Sequence, residues 1–232
     1  EILHGSELAL AVVAAWALGR VGDPAAYEPL LLGLDSDFRS IQAHSVRALG
    51  AMGKPEVAAK LVERLRVEEN RGLQMAYASA LGQLGAAEAT ADLLTLLRGT
   101  DNPGARLEVA LSLARLVGSE HNFVQLTRNV RSDPGTTLAQ AVQALKKRLD
   151  RGSADADVLR SLLDQETAVL GQGEMESGSR SLGQLIRQIP VEHFDATAQA
   201  ILAECADRLE ESGAAHIEYA ILALHTLDAG WK

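Results

Sequence analysis

One pattern, repeated at a nearly constant interval, limits what this chain can fold into. Ala17-Leu18-Gly19-Arg20-Val21-Gly22, Ala48-Leu49-Gly50-Ala51-Met52-Gly53 and Ala80-Leu81-Gly82-Gln83-Leu84-Gly85 share the order Ala-Leu-Gly-x-apolar-Gly. Leu113-Ala114-Arg115-Leu116-Val117-Gly118 is a decayed fourth copy. The closing glycines lie 31, 32 and 33 residues apart. A fixed period in that range belongs to stacked units that bury their apolar faces against their neighbours, not to a single globular core.

Aligned on the closing glycine, each unit reads as two helices. In the first helix, Leu18, Leu49, Leu81 and Ala114 stand four residues before the glycine, with Ala15, Val46, Ala78 and Leu111 seven before. Val21, Met52, Leu84 and Val117 stand one before it. Steps of three and four place these on one helical stripe. The glycine ends the helix because only Gly enters the left-handed C′ conformation without steric cost. Asp23-Pro24 and Lys54-Pro55 restart the chain, with Pro in the first turn, where its missing N–H costs nothing. In the second helix, Leu30, Leu61, Leu93 and Leu126 fall eight residues after the glycine, and Leu34, Leu65, Leu97 and Val130 twelve after. The inner glycines Gly19, Gly50 and Gly82 each cost a helix roughly 1 kcal/mol relative to Ala, which predicts a neighbouring helix passing close by. Asp35-Ser36-Asp37, Asp101-Asn102-Pro103-Gly104 and Asp133-Pro134-Gly135 supply turn and cap chemistry between units. A fifth first-helix is expected at 137–149, where Lys146-Lys147-Arg148 suit a helix C-terminus.

The Ala-Leu-Gly-x-apolar-Gly-Asp/Lys-Pro blocks at 17–24 and 48–55, with the Leu pairs behind them, resemble HEAT-like repeats in the short form of phycobilisome-lyase-type proteins. The resemblance covers about residues 5–150. Tetratricopeptide units have a similar length, but their Leu-Gly falls early in the first helix, whereas here it closes it. The resemblance implies an all-α fold: a right-handed α-α superhelix of about four helix pairs, with the second helices lining a concave face.

After Asp150 the period disappears and the charge changes. Residues 1–149 carry 16 acidic and 16 basic side chains; residues 150–232 carry 15 and 6, which accounts for the whole net charge of −9. The expected organisation is therefore a repeat array over 1–150 and an acidic helical C-terminal cap over 151–232, with an independent acidic helical domain as the alternative. Within the cap, the spacing predicts helices at 154–170, 182–189, 197–211 and 214–227, with a loop at 171–181. Such a cap shields the open end of a solenoid.

Composition narrows the function classes. Apolar residues make up 47% but aromatics only 3%, which favours helices over a β-sandwich. No run of about 18 apolar residues occurs, so no segment is expected to enter a bilayer. Cys205 is the single cysteine, which excludes an internal disulfide and fits a reducing, cytoplasmic setting. The sequence starts at Glu1, inside the first helix of a unit, so a longer parent polypeptide is expected.

No constellation for catalysis, cofactor or metal stands out. The six histidines are scattered, and His216 and His225 have no ligand set around them. His44 falls on a partly buried helix position, and Glu120-His121 and Glu192-His193 fall near helix starts, where capping is ordinary. Walker, Gly-x-Gly-x-x-Gly and Gly-x-Ser-x-Gly motifs are absent. Cys205 sits on an apolar stripe as a structural thiol. Arg39, Arg71 and Arg106 recur near first-helix starts, too sparsely for a phosphate-binding stripe, so nucleic acid is not the expected ligand.

The surface pattern that remains is on the second helices: Glu28, then Glu56, Lys60 and Glu63, then Glu88 and Asp92, then His121 and Arg128. If these line the groove, an acidic strip turns basic at its end and fits a basic or mixed-charge protein segment. Trp16 falls on an outward position and is expected to meet upstream repeats, with a partner-contact role as the alternative. The resulting expectation is a non-catalytic protein-interaction scaffold, with a protein partner or the rest of its own chain as ligand. Residues 119–149 are similar to soluble HEAT-like tails of bacterial membrane transporters, which implies a membrane-bound parent. The alternative is a bilin-lyase-like subunit holding a linear tetrapyrrole.

Overall fold

The computed structural model describes residues 8–133, 140, 147, 175–212 and 217–231. Among them there are helices and turns but no strand. The chain forms two compact units, residues 1–116 and 117–232.

In the first unit, α1 (Leu8–Val21), α3 (Arg39–Met52), α5 (Arg71–Leu84) and α7 (Pro103–Val117) are the first helices of the pairs. The second helices are α2 (Tyr27–Gly33), α4 (Ala58–Val67) and α6 (Thr90–Arg98). A short 3₁₀ turn joins each pair, at Pro24–Ala26, Pro55–Val57 and Ala87–Ala89. Pro24 and Pro55 open their turns, as the sequence predicts, and the Asp23 carboxylate accepts from the Ala25 N–H. Helix α1 packs on α3 and α3 on α5, while α2 packs on α3 and α4 on α5. The first two pairs are thus each sealed by the next.

Two kinds of glycine set this geometry. Gly22, Gly53 and Gly85 have φ of 68°, 67° and 64°, the left-handed C′ role read from the sequence. The inner glycines mark where successive first helices come closest. A Cβ on Gly19 would sit 2.7 Å from Ala48 Cα; one on Gly50, 2.6 Å from Ala80 Cα; one on Gly82, 2.8 Å from Ser112 Cα. No side chain fits between backbones that near, so the intrinsic helix cost of glycine is outweighed by packing.

Ala48, Ala80 and Ser112 are evenly spaced at 32 residues, and this resets the fourth unit by one position. Leu113, not Ala114, joins Leu49 and Leu81 as the large side chain with no exposure, and Leu111 is only half-buried. Gly118 correspondingly does not adopt positive φ. It serves packing instead: a Cβ there would run into Ala229. The same 32-residue step orders the loops. Gln42 Nε2 donates to Ser36 O at 2.6 Å, Gln74 Nε2 to Glu68 O at 2.6 Å, and Arg106 Nη1 to Thr100 O at 3.2 Å. Asn70 and Asn102 cap the following helices by accepting from Leu73 N and Ala105 N.

The stripes hold where neighbours reach them. Ala15, Val46, Ala78, Leu30, Leu61, Leu93, Leu34, Leu65 and Leu97 are buried. The position just before the closing glycine is not: Val21 is 74% exposed, and Met52 and Leu84 are half-buried. It lies on the last turn, beyond the reach of the next pair.

In the second unit, α8 (Glu120–Ser132), α9 (Met175–Gln188), α10 (Ala196–Ser212) and α11 (Ile217–Ala229) are described. Helix α9 packs on α10, α10 on α11, and α11 on α8. In α8 the buried residues are Phe123 and Val130, while Leu126 is only half-buried; the aromatic ring one turn earlier takes the core site. Helix α9 starts at Met175, so 175–181 is helical where the sequence suggested a loop. Its apolar residues Leu182, Leu185 and Ile186 are buried, as is Ile189 just after it. Gly183, whose Cβ would lie 3.0 Å from Ala206 O, lets α10 approach, so that glycine is a packing device and not a helix breaker. Ile201, Leu202, Cys205 and Leu209 are buried on α10, the predicted stripe. Helix α11 departs from the single-stripe expectation: residues 218–227 are all buried, Glu218, His225 and Thr226 included, because α8 and α10 both pack on it. The helices expected at 137–149 (apart from helical residues 140 and 147) and at 154–170 lie outside the described residues.

Candidate partner-binding face

The second helices present their charged residues to solvent because the Leu positions at i and i+4 use up the inward face. Glu28, Lys60 and Glu63 are exposed on these helices and Asp92 is half-buried, while Glu56 and Glu88, read from the sequence as second-helix residues, are exposed on the 3₁₀ turns that precede α4 and α6. His121 and Arg128 are exposed on α8 of the second unit.

The charges are wired together more closely than spacing alone conveys. Arg66 grips Asp92 with both arms, Nε to Oδ1 at 2.9 Å and Nη2 to Oδ2 at 3.0 Å. The hydrogen bonds to Asp92 raise the Arg66 pKa, so this carboxylate is already occupied by a cation. Arg64, on the same helix, turns back and donates to Leu34 O at 2.9 Å and to the Asp35 carboxylate. That hydrogen bond lowers the Asp35 pKa. Burial alone would lower the Arg64 pKa; hydrogen bonding to Asp35 and Tyr77 outweighs it. Helix α4 therefore ties itself to the pair before it and the pair after it through two arginines.

At the other end of the face lies Tyr27. Lys54 Nζ sits 4.3 Å from its ring centroid, a cation–π contact. Burial, followed by the charges of Glu56 and Glu28, raises the Tyr27 pKa. The surface is an aromatic residue framed by one lysine and two glutamates, followed by Lys60, Glu63 and Glu88. Tyr27, Lys54, Arg64 and Arg66 are absent from the set read off the sequence. Arg64 and Arg66, two residues apart in the last turn of α4, were the available signal; only the neighbouring helices reveal their acidic partners.

The other sequence candidates resolve into structural roles. Arg106 is buried and donates to Thr100 O and Asp101 O, and Arg71 Nη2 donates to Gly99 O at 2.6 Å; these side chains hold turns. Arg106 occupies the register of Gln42 and Gln74, not that of Arg39 and Arg71, so the three arginines do not form one series. His44 is half-buried, and burial, then the Arg47 charge, lowers its pKa. His193 does not cap a helix: it stacks on Trp231 at 4.6 Å and 14°, while Asp195 accepts from Ala198 N. His225 meets Phe123 edge-on at 5.7 Å within the second unit. Among the described residues no group of three or more His, Cys, Asp or Glu side chains is arranged to hold a metal ion.

A groove of about 380 Å³ in the second unit is lined by Ile186, Ile189, Val191, Phe194, Leu202 and Ala206. Its polar neighbours are engaged: Arg187 with Glu210 at 2.7 Å and with Asp207, and Gln199 Nε2 with Val191 O and Phe194 O.

Cys205 has no exposure, and burial, followed by the nearby Glu204 charge, pushes its thiol far above the ordinary range. Since the thiolate is the reactive form, native protein should leave DTNB unreacted, with one equivalent of thiol released only on denaturation. Rapid labelling of the folded chain would show that this part of the core opens. Because the folded pKa is raised, the neutral thiol favours the fold below the unfolded pKa, and that contribution falls away as pH climbs above it.

Among the described residues, no helix is long and apolar enough to cross a membrane. No curated protein matches the chain. The profile of HEAT repeats matches it twice, over residues 1–82 and 65–146. The two matches start 64 residues apart, twice the 32-residue step that orders the Gly–Ala contacts and the loop hydrogen bonds. With period, helix pairing and profile in agreement, the chain belongs to the HEAT repeat family.

Proposed function

We propose that this chain is a non-catalytic interaction module that holds a basic or mixed-charge protein segment along the exposed face of α2, α4 and α6. The observation that carries this reading is the set of exposed Glu28, Glu56, Glu63 and Glu88 with half-buried Tyr27 and Lys54, placed on the second helices and on the turns that lead into them. HEAT repeats commonly mediate protein interactions, and an aromatic framed by charges offers stacking, hydrogen bonding and electrostatic complementarity together. The C-terminal helices act as a cap; the packing of α11 on α8, with Phe123 against His225 and Gly118 against Ala229, supports that role. We place the module in the cytoplasm, attached to a membrane-anchored transporter, a reading tested by the coding sequence on either side: several apolar segments of about 20 residues should flank it.

The face itself is tested by charge. Asp92 is held by Arg66, so Glu56→Lys, Glu63→Lys and Glu88→Lys together make the cleaner variant. Binding to arrayed lysine- and arginine-rich peptides, read by fluorescence anisotropy, should weaken on the order of tenfold, and more strongly at low salt. Equal affinity of wild type and triple variant would rule this face out.

A further inference from the structure

Helix α1 carries a face that its counterparts keep covered. In α3, Ile41, Ser45 and Ala48 are buried against the preceding pair, where Gly33 meets Ser45 and Gly19 meets Ala48. In α5, Leu73, Tyr77 and Ala80 fill the same positions, with Gly50 against Ala80 and Arg64 beside Tyr77. Ile41 and Leu73 are 3% and 2% exposed. The matching positions of α1 are Leu10, Ala14 and Ala17, one large and two small side chains in the order seen in α3. Leu10 is 52% exposed, and both alanines are partly exposed.

The adjoining positions strengthen the contrast. Val13 and Trp16 are 58% and 55% exposed where α3 has His44 and Arg47. From Leu8 to Gly19 there is no charged residue at all. A helix that is apolar all round is a buried helix, and a terminal repeat needs a polar outer face. Helix α1 has the chemistry of an interior repeat.

We infer that this face of α1 receives a further helix pair of the same repeat type, on the N-terminal side of α1 in the same polypeptide. The occupant is identified by the interface already present twice in the chain: an uncharged ridge whose inner glycine admits Ala17 as Gly19 admits Ala48 and Gly50 admits Ala80. None of the residues of the proposed partner-binding face is used, so the two readings stand or fall separately.

The test supplies the neighbour. Residues 39–70, one full period, are duplicated directly ahead of Leu8, so that the copied α3–α4 pair meets α1 in register. The melting temperature of this extended chain should rise by ~5 °C or more over that of the original. Leu10→Glu should abolish the rise in the extended chain while moving the original chain by less than about 2 °C, since Leu10 faces solvent there. Replacing the copied Gly50 by leucine should abolish it as well. An unchanged melting temperature on extension, or an equal loss from Leu10→Glu in both chains, would overturn the inference. So would a dimer of the original chain in sedimentation that Leu10→Glu dissolves, because a second copy would then occupy the face.

Discussion

Gly50→Leu is expected to destabilise the chain by about 3 kcal/mol or more, against the direction that helix propensity alone gives. In an ordinary helix interior, replacing Gly by a good helix former gains up to roughly 1 kcal/mol. At Gly50 the first added carbon would already lie 2.6 Å from Ala80 Cα and 2.8 Å from Ala80 Cβ. The obstacle is backbone, so rotamer changes cannot relieve it, and the two helices must separate along their seam. Gly50→Ala should therefore lose stability as well, by roughly 1–3 kcal/mol. Gly53 is the control. It has φ of 67° and nothing within 4 Å of its Cβ direction, so Gly53→Ala should cost only the roughly 1–2 kcal/mol of a left-handed alanine. Urea denaturation followed by far-UV circular dichroism checks the set. A Gly50→Ala variant at least as stable as wild type would mean that the seam is looser than its geometry.

Leu93→Ala carries the second large effect, a loss of roughly 2–5 kcal/mol. Leu61 and Leu93 occupy the same register of successive second helices, and neither is exposed. Truncating either removes apolar burial and leaves a cavity among helices that close-packed neighbours keep from collapsing. Phe123→Ala should cost roughly 3–5 kcal/mol in the second unit, where the ring is fully buried against His225. Because repeat arrays lose cooperativity when one interface weakens, Leu93→Ala should broaden the transition or split it. A single sharp transition with an unchanged m-value would show that the described helices unfold as one.

Period, helix pairing, cap glycines and most of the core were legible in the sequence because they depend on local chemistry. A left-handed C′ needs glycine, a helix start tolerates proline, and an inward face repeats every three to four residues whatever lies opposite. Leu49, Leu61, Leu81 and Leu93 are identifiable on those grounds alone. The inner glycines, too, announced a close approach, since their helix cost requires a compensating contact. Tertiary structure alone decided the rest. The closing glycines suggest a fourth unit shifted by one residue, yet Ser112 opposite Gly82 restores an even 32-residue step, because packing registers on contacts and not on helix ends. Helix α11 carries Glu218 and His225 yet is buried all round, since α8 and α10 close on it from separate parts of the chain. Asp92 reads as an acidic groove residue until Arg66, 26 positions earlier, is seen to hold it. Charge along a helix can be counted from sequence; its neutralisation depends on which helix lies alongside.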